Sequence, residues 1–214
     1  MSEPIQRLLA PLIPIATILV IAGIAVAPLL SPAWVGFEQD RAQATAWTGF
    51  TTEQVRTATD ALLADLVVGP PDFDVEIGGV AVLNERERDH LRDVRGIFAG
   101  FALLVVASAL ILAVGRRAIA PARWTAAVRI GATAAVVGVV VAGVVAAVAF
   151  DAAFEVFHRL FFAGGSYAFD PRTERLVQLF PNQFWMESTV AAGAIMAGLG
   201  LLVRRIARPG ETAP

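Results

Sequence analysis

The chain has 214 residues, of which 57% are hydrophobic and only 17% are charged. Soluble domains are about half apolar and about a quarter charged, so this composition, gathered in long apolar blocks, indicates a membrane protein. The net charge of −2 gives no sign of nucleic-acid binding, and the absence of cysteine excludes disulfides, thiolate metal sites and a cysteine nucleophile.

The first apolar run extends from Leu8 to Leu30 and is preceded by Arg7. Because a bilayer core needs about 20 helical residues, the run predicts a first transmembrane span at 8–30. A cleaved signal peptide is the alternative, since Ala25-Val26-Ala27 resembles a small-x-small cleavage site. The length of the run and the proline that would follow the cut favour a retained helix.

The largest polar segment, residues 34–95, follows this span. Thr51 and Gln54 form a capping-box pattern, in which the two side chains satisfy free N–H groups at a helix start. Apolar residues then recur at helical spacing, and this recurrence predicts an amphipathic helix at 52–67.

A short β-hairpin is predicted after that helix. The segments 74–77 and 80–83 are rich in strand-forming residues and flank Gly78-Gly79. Two glycines suit the tight turn of a hairpin, and a plain loop is the alternative.

A second helix is predicted to begin near Glu85, because Asn84 and Glu87 have the spacing of an N-cap and its partner. Nothing ends this helix before the second apolar run, so it continues into a second span at 97–114. His90 then lies about two helical turns before the apolar run.

The rest of the chain alternates between apolar and polar segments. A basic connector at 115–129 precedes a third span at 130–150, whose glycines allow close helix approach. An aromatic loop at 151–185 precedes a fourth span at 184–203, and a tail at 204–214 closes the chain.

Arginine distribution predicts the orientation of the spans. The N-terminus, the connector and the tail hold only two acidic residues, Glu3 and Glu211, against these arginines: Arg7, Arg116, Arg117, Arg123, Arg129, Arg204, Arg205 and Arg208. Short arginine-rich segments stay in the cytoplasm, so both termini are predicted inside and both large loops outside. The predicted fold is an all-α membrane protein with four transmembrane helices and a small extracytoplasmic domain, an amphipathic helix plus short hairpin, between spans one and two.

The two histidines of the chain, His90 and His158, are therefore predicted on the same, extracytoplasmic side. A pair of imidazoles is suited to general acid–base catalysis, and the alternative is that each makes a structural hydrogen bond at the interface. Nearby charged residues are candidates for orienting or supporting the pair: Asp93, Glu155, Asp151, Glu87 and Arg95.

The sequence gives little support for a metal site, a serine hydrolase or a nucleotide-binding site. A zinc site built from the histidines with Asp93 or Glu155 matches no metal-binding motif, so no metal is expected. The chain has no G-x-S-x-G elbow, no P-loop and no dinucleotide fingerprint.

Aromatic residues cluster in sequence around His158. They are interpreted either as an interfacial aromatic belt or as a vestibule that admits acyl chains from the lipid. The candidate acyl contacts are Phe157, Phe161, Phe162, Tyr167, Phe184 and Trp185.

At these segments the chain resembles the lipoprotein intramolecular transacylase (Lit) family of bacterial integral membrane proteins. The residues that carry the resemblance are Asn84-Glu-Arg-Glu87-Arg-Asp-His90-Leu-Arg-Asp93-Val94-Arg95, Phe157-His158-Arg-Leu-Phe161-Phe162, Tyr167-Ala-Phe169-Asp170-Pro171 and Leu179-Phe180-Pro181-Asn-Gln-Phe184-Trp185. Tyr167 departs from the pattern, which has a tryptophan before the Phe-Asp-Pro.

The resemblance implies a reaction. Family members move the sn-2 acyl chain of diacylglyceryl-cysteine to the α-amino group of the same lipoprotein, which gives a lyso-form lipoprotein. It implies His90 and His158 as the catalytic pair, no cofactor, a diacylated bacterial lipoprotein in the membrane lipid as substrate, and a location in the plasma membrane. A non-enzymatic membrane assembly or sensor subunit and an extracytoplasmic lipid hydrolase are the alternative functions.

Overall fold

A computed structural model of the chain describes residues 3–162 and 166–207. Residues 163–165 of the predicted aromatic loop, together with Arg208 and Glu211 of the predicted tail, lie outside the described residues. The chain divides into two compact units. The first unit comprises Met1–Val26, Phe101–Val145 and Ala191–Pro214, and the second comprises Ala27–Gly100 and Ala146–Val190.

The described residues are mainly helical. The helices are α1 (Glu3–Leu9), α2 (Leu12–Val26), a 3₁₀ helix (Ala27–Leu30), α3 (Pro32–Arg41), α4 (Ala44–Thr48), α5 (Thr52–Val67), α6 (Glu85–Ala118), α7 (Pro121–Phe161), α8 (Arg175–Leu179) and α9 (Asn182–Ile206), and the strands are β1 (Glu76–Ile77) and β2 (Val80–Ala81).

Four of these helical segments are long and apolar enough to cross a membrane. They are Leu12–Leu30, Glu85–Ala118, Pro121–Phe161 and Asn182–Ile206, with mean hydropathies of 2.5, 2.8, 2.5 and 1.6. The predicted all-α membrane fold with four transmembrane helices is confirmed.

Two boundaries differ from those predicted. The first run is divided between α1 and α2 near Pro11, because a proline removes a backbone donor and its ring clashes with the preceding turn. The predicted connector at 115–129 is mostly helical, since α6 ends at Ala118 and α7 begins at Pro121. Pro121 does not interrupt a helix there, because a proline is well tolerated in the first turn.

Helix α7 contains one backbone break, at Ala149, where φ is −148° and ψ is 50°. The break lies one residue before the predicted end of the third span at Phe150. We have no physical account of why it falls at this alanine. The helix resumes beyond it and carries His158 in its last turn.

Close helix contacts in the first unit depend on glycine. A Cβ atom on Gly131 would lie 2.4 Å from the carbonyl oxygen of Pro14, and one on Gly23 would lie 2.7 Å from Val105. Small residues are the usual means of close helix approach in membranes. Gly138 and Gly143, which were expected to act similarly, have no such neighbour within 4 Å among the described residues.

The second unit has its own hydrophobic core around α5. The core consists of Ala44, Val55, Ala58, Leu62, Phe73, Val75, Val82, Leu83, Leu91, Leu176 and Leu179. Helix α5 begins with the predicted capping box, in which Thr51 and Gln54 each satisfy the backbone N–H of the other. The hairpin is also present: Gly78 (φ 61°) and Gly79 (φ 77°) connect β1 and β2 with left-handed backbone angles.

Candidate functional site

The N-terminus of α6 is fixed by the buried carboxylate of Glu87. Its Oε2 accepts a hydrogen bond from the backbone N–H of Asn84 (2.7 Å), and the Asn84 side chain accepts one in return from the N–H of Glu87 (3.0 Å). The other oxygen, Oε1, accepts from the N–H of Leu176 (2.7 Å) at the start of α8. Glu87 therefore joins α6 to α8 and supports His90 through the helix, without a hydrogen bond to its ring.

A second connection holds the segment before α8 against α6. The Arg86 guanidinium donates to the carbonyl oxygen of Ala168 (2.9 Å) and pairs with Glu174. Glu174 in turn accepts from the N–H of Asp170 (2.6 Å). Burial alone would raise the pKa of Glu174, but the hydrogen bond from Arg86 lowers it below its usual value. This carboxylate therefore stays ionised and keeps the segment in place.

Phe169 lies between these contacts and the first histidine. Its ring is 4.5 Å from the Arg86 guanidinium carbon and 5.3 Å from the centroid of His90. Neither Arg86 nor Glu174 is among the site residues predicted from the sequence. Arg86 lies inside the motif that carries the family resemblance, whereas nothing in the sequence pairs it with Glu174, 88 residues later.

One ring nitrogen of His158 is hydrogen-bonded to the backbone. Its Nδ1 lies 2.8 Å from the carbonyl oxygen of Phe154, one turn earlier in α7. A carbonyl oxygen only accepts hydrogen bonds, so Nδ1 carries the proton and Nε2 presents a lone pair. The ring is packed between aromatic groups, at centroid distances of 4.0 Å from Phe154 and 5.0 Å from Tyr167.

His90 is buried, and its Nδ1 has no hydrogen-bond partner among the described residues. A buried donor without a partner is costlier and rarer than a buried acceptor without one. This asymmetry favours the tautomer in which Nδ1 is unprotonated and Nε2 carries the proton. The ring packs against Phe162, at a centroid distance of 4.7 Å.

The two imidazoles lie close together in the second unit. Their centroids are 6.2 Å apart and their planes differ by 22°. Phe162 touches both rings, since its centroid is also 5.4 Å from that of His158. The sequence suggested that the two histidines share one side of the membrane, and the structure brings them together in one aromatic cluster.

The charged residues near this cluster have other partners. Glu155 accepts from Arg159 (2.7 Å) and from the Tyr167 hydroxyl (3.1 Å), while Asp151 accepts from Asn182 (3.3 Å). In the described part of the chain, none of the predicted orienting residues hydrogen-bonds to a histidine.

The remaining two orienting candidates, Arg95 and Asp93, also make no hydrogen bond to an imidazole within the described residues. Arg95 donates to the carbonyl oxygens of Asp65 and Gly69 at the end of α5. Asp93 is exposed, one helical turn beyond His90, and has no hydrogen bond within the ranges described. No group of three or more histidine or acidic residues in these ranges is arranged to hold a metal.

The predicted acyl contacts divide into buried and exposed residues. Phe162 and Phe184 are buried, and Phe184 belongs to a small core with Val35 and Leu63. Phe157 and Phe161, by contrast, are 46% and 49% exposed. Large exposed aromatic surface is unfavourable in water, so these rings are suited to contact with lipid.

The comparisons with known proteins decide the family. Residues 8–185 match the family model described as lipoprotein intramolecular transacylase Lit. The chain belongs to the Lit family. It is therefore an acyltransferase that acts on lipoproteins, as the resemblance implied. In the comparison with curated proteins, none matches the chain.

Solved structures of Lit from Bacillus cereus have the same fold. One, in meso, is 18% identical, with a TM-score of 0.79, over 96% of this chain and 95% of that chain. Two others, carrying a histidine-to-arginine and a histidine-to-alanine substitution, are also 18% identical, with TM-scores of 0.76. They cover 95% of this chain and 91% and 92% of theirs. At this identity the likeness shows the fold, which is that of a membrane-integral Lit protein.

Proposed function

We propose that this Lit-family chain moves the sn-2 acyl chain of a diacylglyceryl-cysteine to the α-amino group of the same lipoprotein, with His90 and His158 as its acid–base pair. The observation that carries the proposal is the pairing of the two imidazoles, 6.2 Å apart within one aromatic cluster. Two of the Bacillus cereus Lit structures carry a histidine substitution, which agrees with a histidine at the centre of the site.

The two histidines have different parts in the reaction. His158 presents the lone pair of Nε2, because its Nδ1–H donates to the Phe154 carbonyl. It is the general base, which takes a proton from the substrate amine. His90 presents Nε2–H, which donates to the ester carbonyl oxygen as negative charge develops there.

The atoms balance without a cofactor or a protein nucleophile. The amine nitrogen attacks the ester carbonyl carbon and forms the new C–N bond, while the amine proton passes to His158. The C–O bond to glycerol then breaks, and the imidazolium of His158 returns this proton to the leaving oxygen. The products are an amide on the cysteine nitrogen and a free glycerol hydroxyl.

Two effects account for the rate. General acid–base catalysis supplies about 10²–10⁴-fold. The amine and the ester belong to one molecule, so the enzyme has only to hold them in a reactive geometry, which is a large further advantage.

The proposed orientation agrees with this substrate. Arginine excess at the other ends of the spans supports an orientation with both termini in the cytoplasm and the histidine site on the extracytoplasmic face of the bacterial plasma membrane. Phe157 and Phe161 are exposed beside the site, where they contact the acyl chain that is transferred.

The test is co-expression with a diacylated lipoprotein and mass spectrometry of its N-terminal peptide. The wild-type chain is expected to place the acyl group on nitrogen and leave a monoacylglyceryl thioether. His90→Ala and His158→Ala are each expected to lose this product, whereas the exposed control Glu53→Gln retains it. If both histidine variants still form the lyso product, the acid–base assignment is wrong, and release of free fatty acid in its place would identify a hydrolase.

A further inference from the structure

The first unit contains a cavity of about 140 Å³ among α2, α6, α7 and α9. Trp124 and Val128 of α7 line it together with Leu112 of α6 and Val203 of α9. These residues lie toward the helix ends that carry Arg116, Arg117, Arg204 and Arg205.

The cavity wall is almost entirely apolar, so it can contact hydrocarbon but provides almost no hydrogen-bonding group for a polar ligand. Its one hydroxyl, that of Thr17, already donates to the Ile13 carbonyl at 2.8 Å. Water needs two to four polar partners in a buried site, whereas an apolar cavity of about 150 Å³ stays dry and binds a small hydrocarbon. The occupant therefore inserts an apolar chain.

The excess of arginine in the first unit indicates that the other end of the ligand is negatively charged. Glu3 is the only acidic residue in the described part of the first unit, against seven arginines. None of Arg116, Arg117, Arg123, Arg129, Arg204 and Arg205 forms a salt bridge within the ranges described. The Arg116 guanidinium carbon lies 5.4 Å from the ring of Trp124, which itself lines the cavity. A cation is thus within reach of a headgroup whose chain enters the cavity.

We propose that this cavity binds one acyl chain of an anionic glycerophospholipid, with the phosphate-bearing headgroup against Arg116. A ligand of this kind places its apolar end against the cavity wall and its negative end near arginines that form no salt bridge within the described residues. The cavity belongs to the first unit and the histidine cluster to the second, and occupancy of the cavity does not depend on the proposed transacylation.

The experiment is native mass spectrometry of the whole protein, released from detergent after incubation with phosphatidylglycerol or with phosphatidylcholine of the same chains. The wild type is expected to retain one phosphatidylglycerol in preference to phosphatidylcholine. Arg116→Gln is expected to weaken this retention about fivefold, the factor for one arginine at an anionic membrane surface. Val203→Phe fills the cavity and is expected to abolish it.

Arg172→Gln is the matched control, because Arg172 is an exposed arginine of the second unit that pairs with Asp170. It is expected to retain phosphatidylglycerol as the wild type does. Equal retention of the two lipids, undiminished retention by Val203→Phe, or no retained lipid at all would overturn the proposal. Thermal unfolding checks that Val203→Phe is folded, and Arg116→Gln tests the headgroup contact without changing the cavity.

Discussion

Tyr167 packs against His158 with 5.0 Å between ring centroids, and its hydroxyl donates to Glu155 at 3.1 Å. This tyrosine is the position at which the chain departs from the tryptophan of its family pattern. The hydroxyl hydrogen-bonds the ring to α7 one turn before His158. Tyrosine in place of tryptophan therefore keeps an aromatic ring against the imidazole and adds a hydrogen bond to α7.

Substitutions at Tyr167 can separate the effect of its ring packing from the effect of its hydrogen bond to Glu155. Tyr167→Phe keeps the ring and loses one hydrogen bond, so the transacylation rate is expected to fall by no more than about fivefold. Tyr167→Trp is expected to retain most activity, whereas Tyr167→Ala exposes His158 and loses much more. The rates of lyso-product formation, measured by mass spectrometry at equal protein levels, check this order. Equal activity of the alanine and phenylalanine variants would contradict it.

Glu87 is expected to matter for folding and not for chemistry. Glu87→Gln replaces one carboxylate oxygen by an NH₂ group, which leaves the N–H of Asn84 or of Leu176 without its acceptor. The expected loss of stability is about 1–3 kcal/mol, measured by thermal unfolding in detergent. Glu85→Gln, two residues earlier on the exposed face, is the control and is expected to change the stability much less, because exposed ion pairs contribute little. A stable Glu87→Gln protein without activity would instead indicate a direct role in catalysis.

A carboxyl group of α3 is expected to make stability depend on pH. Burial, together with the nearby carboxylate of Glu187, raises the pKa of Glu38 from 4.5 to about 7, although Arg41 opposes the shift. Between these values the folded chain holds a proton that the unfolded chain has lost. Stability is therefore expected to fall as the pH rises from 4.5 through 7.

Glu38→Gln removes this titration and is expected to flatten the decline. The melting temperature in detergent, followed from pH 5 to pH 8.5, measures the effect, and Glu53→Gln, an exposed carboxyl of α5, is expected to keep the wild-type slope. An unchanged slope in Glu38→Gln would show that another group is responsible.

Phe161 is expected to contribute to substrate binding. It is 49% exposed beside the histidine cluster, so Phe161→Ala removes apolar contact with the acyl chain and is expected to raise KM more than it lowers kcat. Phe37→Ala, at a phenylalanine of α3 that is 54% exposed, is the control and is expected to change neither. A fall in kcat alone would place the ring at the reacting atoms instead.

Local patterns predicted local structure well. The capping residues Thr51 and Gln54 marked the start of α5, and the paired glycines at 78 and 79 marked the hairpin turn, because each depends on neighbouring residues alone. The four spans followed from apolar length. The basic connector predicted at 115–129 is mostly helical in the structure, because arginine is compatible with a helix and the only break lies between Ala118 and Pro121.

The candidate site was only partly predictable. The rarity of histidine and the arginine asymmetry predicted His90 and His158 on one side. The hydrogen bond from His158 to the Phe154 carbonyl lies within one helix, whereas the pairing of Arg86 with Glu174 depends on how distant segments meet. No spacing in the sequence reports such long-range contacts, and three of the expected carboxylates, Glu87, Glu155 and Asp151, have other hydrogen-bond partners.

The bond between His158 and the Phe154 carbonyl has a consequence for the lipid. In many acid–base sites an ionised carboxylate orients the imidazole, and an ion is costly to bury unless water or a counter-ion accompanies it. A backbone carbonyl fixes the same ring and carries no charge. The imidazole is oriented here without a hydrogen bond to an ion, so a fatty acyl chain can lie against the ring without removing water from a carboxylate bonded to it.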